Sequence, residues 1–110
     1  TKVLFMNILF DIASELDLDW QTIKEAMIAD PRIGSSHMDP VHESGRGAGG
    51  HCFIKDFAAL KELHAKLLPD DRMSTDILSA LERKNNTLLR TSGKDLDILE
   101  GVYGSVSTTR

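Results

Sequence analysis

Between Val3 and Leu16 apolar side chains cover most of a helical surface: Val3, Leu4, Phe5, Met6, Ile8, Leu9, Phe10, Ile12, Ala13 and Leu16. The remaining positions, Asn7, Asp11, Ser14 and Glu15, form one polar stripe at spacings of four, three and one, which is helical periodicity with a very wide apolar face. Such a helix needs partners on several sides. Asp19 is placed to cap a second helix through Trp20, Ile23 and Met27, and Pro31 predicts its end near Asp30, because the residue before a proline is disfavoured in helical geometry. The nineteen residues from Arg32 to Gly50 show no apolar period, and loops of that length are commonly functional or disordered. Helical spacing resumes with Phe53, Phe57, Leu60, His64 and Leu67, stops before Pro69, and restarts after Ser74 with Ile77, Leu78, Leu81 and Leu88. Asp95 to Glu100 predicts one further turn closed by Gly101, and Ser105 to Arg110 reads as a polar, frayed tail. No repeat and no convincing strand is visible, so the expected fold is all-α: a helical domain over residues 1–104, followed by the tail 105–110.

At 110 residues, 41% hydrophobic and 27% charged, the chain suits one compact domain with a modest core, and a second chain or domain covering an apolar face would be unsurprising. The net charge of -4, with Lys and Arg scattered, leaves no basic footprint for nucleic acid or an anionic membrane. The first apolar run is broken at Asn7 and Asp11, well short of a bilayer span, and no signal-peptide pattern is present. A soluble, cytoplasmic protein is expected. The chain opens at Thr1 inside a helical pattern without a capping residue before it, which reads as a fragment of a longer protein.

The single cysteine, Cys52, has no internal disulfide partner and is either a small buried hydrophobe or a reactive thiol. Its neighbours favour the second reading. Gly45, Gly47, Gly49 and Gly50 let the backbone approach a ligand, and the helix start that follows favours negative charge. A thiol at a helix N-terminus with Lys55 three residues on should have a lowered pKa and more thiolate. Lys55 and Asp56 also fit a solvated first turn in which Asp56 complements the helix dipole. The run from Gly45 to Gly50 formally fits Gly-x-Gly-x-x-Gly, but that fingerprint requires a βαβ unit, and the residues before it are loop-like. His37, Asp39, His42, Glu43, His51 and Cys52 lack the paired spacing of a zinc site, so no metal is expected.

The segment Gly49-Gly50-His51-Cys52-Phe53-Ile54-Lys55-Asp56 resembles the Gly-Gly-Ser-Cys-Phe-Pro-Lys-Asp signature of the UDP-glucose/GDP-mannose dehydrogenase family. Asp30-Pro31-Arg32-Ile33-Gly34 matches the family's Asp-Pro-Arg-Ile-Gly, and the stretch from Thr1 to Asn7 is similar to the start of its first central helix. Asn85 or Asn86 stands where the family often has an Asn late in a helix, so the resemblance runs from Thr1 to about Leu89. It implies the helical central domain of an NAD-dependent nucleotide-sugar 6-dehydrogenase, with a homodimer formed through the first helix and NAD bound mainly by a Rossmann domain outside this chain. Cys52 would be the covalent nucleophile and Asp56 would orient the hydrolytic water. Arg32, Gly49 and Gly50 would bind the nucleotide-sugar substrate, Arg32 that of the partner subunit, and Lys55 would sit near the nicotinamide. His51, Ile54 and Ala48 depart from the pattern, and UDP-glucose, UDP-N-acetylhexosamines and GDP-mannose all stay open as substrates. Two other readings compete: an inert dimerisation module of the same family, and a cysteine hydrolase pairing Cys52 with His64 or another histidine.

Overall fold

The computed structural model describes residues 1–42, 45–49 and 51–103; residues 43–44, 50 and 104–110, the expected frayed segment 105–110 among them, and the side chains of His51 and Cys52 lie outside the described residues. Five helices and one minimal hairpin are found among the described residues, so the chain is mainly α: α1 Lys2–Glu15, α2 Trp20–Ile28, β1 Val41–His42, β2 Gly45–Arg46, α3 His51–Leu67, α4 Arg72–Ser92 and α5 Leu96–Tyr103. Among the described residues no helix is long and apolar enough to cross a membrane.

Local chemistry accounts for the helix ends. Asp19 caps α2 as its position predicts, accepting from the Thr22 N–H at 3.1 Å and the Thr22 hydroxyl at 2.8 Å. The helix stops at Ile28, two residues before Asp30. For α4 the cap is Asp71, whose carboxylate accepts from the Ser74 N–H at 3.1 Å, so the helix starts ahead of the predicted restart after Ser74. Gly93 closes α4 in the left-handed region at φ 74°, and Lys94 N–H reaches back to the Leu89 carbonyl at 2.8 Å, the long bond of a Schellman motif.

Lys61 bonds Glu82 at 2.7 Å and His64 meets Thr75 at 3.5 Å; as the first number rises the second falls, so α3 and α4 form an antiparallel hairpin. At its end near the start of α3, Ile54, Leu89, Ile98 and Leu99 make a buried cluster with Val102 and Tyr103 packed against it. This cluster explains one departure from the sequence expectation. The last helix does not close at Gly101 but runs through it to Tyr103, because burial of Ile98 and Leu99 outweighs the roughly 1 kcal/mol helix penalty of a single glycine.

Two further departures concern the first helix and the loop. Asn7, read as part of a polar stripe, is 0% exposed. The same helix leaves Phe5, Ile8, Ile12 and Leu16 exposed, so the apolar surface is split between an inner face carrying Leu4, Met6 and Ala13 and an outer stripe at spacings of three, four and four. The long loop, expected to lack strands, contains the β1–β2 pair, antiparallel with Val41 opposite Arg46 and His42 opposite Gly45. Two residues per strand are too few to leave an alternation in sequence. The loop is also pinned before the hairpin: Met38 is buried, the Trp20 indole N–H donates to its carbonyl at 3.1 Å, and Lys24 pairs with Asp39 at 2.7 Å.

Candidate functional site

The candidate site is built on the glycine-rich loop that leads into α3. Two helices hold it, one from each side. From α1, Asn7 Oδ1 accepts from Arg46 Nε at 2.8 Å, and Asp11 accepts from Arg46 Nη2 at 2.9 Å. The guanidinium lies 5.2 Å from the centre of the Phe10 ring, close enough for a cation–π contact. Asn7 Nδ2 donates to the Val3 carbonyl at 2.8 Å, so both the oxygen and the nitrogen of this buried amide are hydrogen-bonded.

From α4, Ser92 Oγ accepts the Arg46 N–H at 2.8 Å. Asn85, only 7% exposed, bonds Ala48 twice: its Oδ1 accepts the Ala48 N–H at 2.7 Å and its Nδ2 donates to the Ala48 carbonyl at 2.9 Å. Lys94 Nζ donates to the Gly47 carbonyl at 3.1 Å. The glycines follow from this packing. A Cβ on Gly47, which has φ 94°, would stand 3.0 Å from Asn85 Oδ1 and 3.1 Å from Leu88 Cβ, while a Cβ on Gly49 would overlap the Asp95 carboxylate. At positions 47 and 49 the absence of a Cβ is required by close packing against the protein itself.

The same geometry settles the formal Gly-x-Gly-x-x-Gly match. Gly45 belongs to a two-residue antiparallel strand, the Gly47 and Gly49 Cβ directions face α4 and its C-terminal corner, and the described residues contain no βαβ unit. These residues do not fit a dinucleotide in the manner of that fingerprint.

Helix α3 begins at His51, which places the backbone of Cys52 in its first turn, where N–H groups are unpaired within the helix and the dipole favours an anion. Ile54 in that turn is buried in the core cluster. Lys55 and Asp56 are exposed and lie three and four residues beyond position 52, on the same helix face. The first turn itself holds no acidic residue, so Asp56 sits too far along to complement the dipole as expected.

A cleft of about 720 Å³ opens beside the loop, with Lys2, His37, His42, Gly49, Phe53 and Lys94 among its lining. The structure thus brings Gly49 and the start of α3 to one cavity. Arg32, Lys55 and Asp56 are not among the described residues that line it. Arg32 instead folds onto Asp30, with Nη2 to Oδ2 at 2.8 Å and Nε to Oδ1 at 3.1 Å, although its side chain is 89% exposed. That hydrogen-bonded pair lowers the pKa of Asp30 and raises that of Arg32. Among the described residues no group of three or more His, Cys, Asp or Glu side chains converges as a metal site would require.

His64 is not a partner for Cys52. It follows twelve residues later on the same helix, a rise of about 18 Å. Its Nδ1 meets the Thr75 hydroxyl at 3.5 Å and its Nε2 lies 3.7 Å from the α4 cap, Asp71. The anchors themselves, Asn7, Arg46, Asn85, Ser92 and Lys94, were not legible as a set. The available signal was a polar residue on an apolar stripe: Asn85 stands four after Leu81 and three before Leu88.

The fold defines a mainly helical domain, and its sequence defines the family. The family model for the UDP-glucose/GDP-mannose dehydrogenase family, central domain, matches residues 1–87, and the chain belongs to that family. It is 31% identical to the UDP-glucose 6-dehydrogenase YwqF of Bacillus subtilis over 104 residues, 94% of this chain and 22% of that protein. It is 28% identical to the UDP-glucose 6-dehydrogenase of Rickettsia bellii over 85 residues, 77% of this chain and 18% of that protein. The chain therefore spans about a fifth of the length of these curated relatives.

Proposed function

We propose that residues 1–104 form the central domain of a cytoplasmic, NAD-dependent UDP-sugar 6-dehydrogenase that oxidises the primary alcohol of a nucleotide sugar to the uronic acid. The observation that carries this reading is the placement of the Cys52 backbone in the first turn of α3, directly after the loop that Asn85 and Arg46 hold. The relatives are named for the same activity with UDP-glucose.

In this mechanism the Cys52 thiolate attacks the carbonyl carbon of the aldehyde formed in the first oxidation, giving a thiohemiacetal. The second oxidation converts that adduct to a thioester, and water attacks the thioester carbon to release the carboxylate and return the thiolate. Covalent capture divides one difficult conversion into easier steps and keeps the reactive aldehyde in the site. The unpaired N–H groups of the α3 N-terminus stabilise the thiolate, and Lys55, three residues on along the same face, adds positive charge and would face the nicotinamide when NAD is bound. Asp56, one residue beyond, orients the hydrolytic water. Gly49 and Gly50 present backbone to the sugar nucleotide, and Arg32 reaches the substrate of the partner subunit. Two molecules of NAD, bound mainly by a domain outside this chain, would supply the hydride acceptors, one for each oxidation. The homodimer forms through the outer stripe of α1.

The test is Cys52→Ser in the full-length protein. Acid formation should be abolished while NAD and UDP-glucose still bind with near wild-type affinity. Wild-type rates in that variant would defeat the proposal.

A further inference from the structure

We infer that Asn85 is a positioning residue for this reaction: by clamping Ala48 it fixes the approach to the turn that presents Cys52. The inference rests on the reading of Cys52 as the nucleophile. Asn85 projects from α4 into the protein at a place where the neighbouring stripe residues, Leu81, Leu88 and Leu89, are apolar. A buried amide there is costly unless both its donor and its acceptor are used. Asn85 uses both on one residue, accepting from the Ala48 N–H at 2.7 Å and donating to the Ala48 carbonyl at 2.9 Å. Those two groups belong to the peptide units on either side of Ala48, so the pair fixes the orientation of both planes. Gly47 is shaped to the clamp, since a Cβ there would press to 3.0 Å on Asn85 Oδ1.

The reach of the clamp follows from α4. Leu89, four residues after Asn85 and on the same face, is fully buried against Ile54 in the core cluster. One face of one helix therefore grips the chain twice, at Ala48 through Asn85 and at Ile54 through Leu89. Cys52 lies between these grips, along with Gly49, which lines the cleft. A structural role alone would need only a well-packed side chain at position 85. A side chain that instead reproduces the hydrogen bonding of a strand partner, at the entrance to the nucleophile's turn, sets geometry.

Asn85→Asp in the full-length protein tests this. The variant keeps shape and the acceptor for the Ala48 N–H, but a carboxylate has no donor for the Ala48 carbonyl. With UDP-glucose and NAD, kcat should fall by about 10- to 100-fold, as a displacement of order 1 Å produces, with KM changed by less than about threefold. The rate of Cys52 alkylation by iodoacetamide should shift by at least about threefold in parallel. The ratio of variant to wild-type kcat should rise as pH falls from about 8 toward about 5, because burial against the Ala48 carbonyl raises the introduced carboxyl above its ordinary range and its protonation restores a donor. A folded variant whose kcat and alkylation rate both stay within about twofold of wild type, even with a lowered Tm, overturns the inference and leaves Asn85 merely structural. Should Asn85→Asp fail to fold, Gly47→Ala displaces the loop while leaving Asn85 intact, and the same selective loss of kcat is expected; unchanged kcat there again overturns it. Alkylation is read without turnover, so the outcome is separable from that of Cys52→Ser, which alone decides whether Cys52 is the nucleophile.

Discussion

Arg46 Nε donates to Asn7 Oδ1 at 2.8 Å, joining the glycine loop to a helix 39 residues upstream, and Asn7 is 0% exposed. The bond thus satisfies a buried acceptor as well as anchoring a loop. Arg46→Ala should destabilise the protein by about 2 kcal/mol, within the range for a buried polar atom left unpaired. Asn7→Ala and Arg46→Ala should be coupled by about 1 kcal/mol or more in a double-mutant cycle of chemical denaturation, and additivity within about 0.5 kcal/mol would remove the proposed link. Arg46→Lys should not rescue, because one ammonium cannot reproduce the planar fork that reaches Asn7 and Asp11 together.

Tyr103 donates its hydroxyl to Glu82 Oε2 at 2.6 Å, and Glu82 is paired to Lys61 at 2.7 Å. Burial first, and then the adjacent carboxylate, push the phenol well above the ordinary tyrosine range. A pKa raised in the folded state stabilises the fold below the unfolded value, about 10, and that contribution disappears as pH rises through the folded value. The phenolate absorbance assigned to Tyr103 by difference from Tyr103→Phe should therefore appear only above the pH at which free tyrosine ionises. Titration at the free value would mean that the contact with Glu82 does not persist in solution. Tyr103→Phe itself should cost about 1 kcal/mol near neutral pH.

The outer stripe of α1, Phe5, Ile8, Ile12 and Leu16, is exposed along the whole helix. If this stripe forms the dimer, Ile8→Asp together with Ile12→Asp should shift the light-scattering mass of the full-length protein from dimer to monomer. Far-ultraviolet circular dichroism should stay unchanged, because both positions face outward in the fold. An unaltered mass would place the interface elsewhere.

The helices were legible because their apolar periods are long. Ile77, Leu78, Leu81 and Leu88 mark α4 without help from tertiary structure, and Asp19 marks the start of α2 by its own capping chemistry. Boundaries were less legible where side chains decide them. Asp71 rather than Ser74 caps α4, and α5 continues through Gly101 on the strength of its contacts with Ile54 and Leu89. The cysteine turn was legible as a motif. Its supports were not, since Asn7 looks like a solvent residue until Arg46 arrives from another part of the chain, and no spacing rule connects Asn85 to Ala48.

Those supports are distant in sequence. The bonds that hold the loop join residues separated by 39 positions to Asn7, 37 to Asn85, 46 to Ser92 and 47 to Lys94. Each helix can form from local contacts, but the loop gains its anchors only after two large chain closures, one toward α1 and one toward α4, have been completed. Closure entropy grows slowly with length, so the cost is that of making both closures rather than of their span. The loop that leads to the Cys52 turn is accordingly held by tertiary contacts rather than by local ones. Detachment of α1 alone would take away the Asn7 and Asp11 anchors of Arg46 while leaving the α3–α4 hairpin paired.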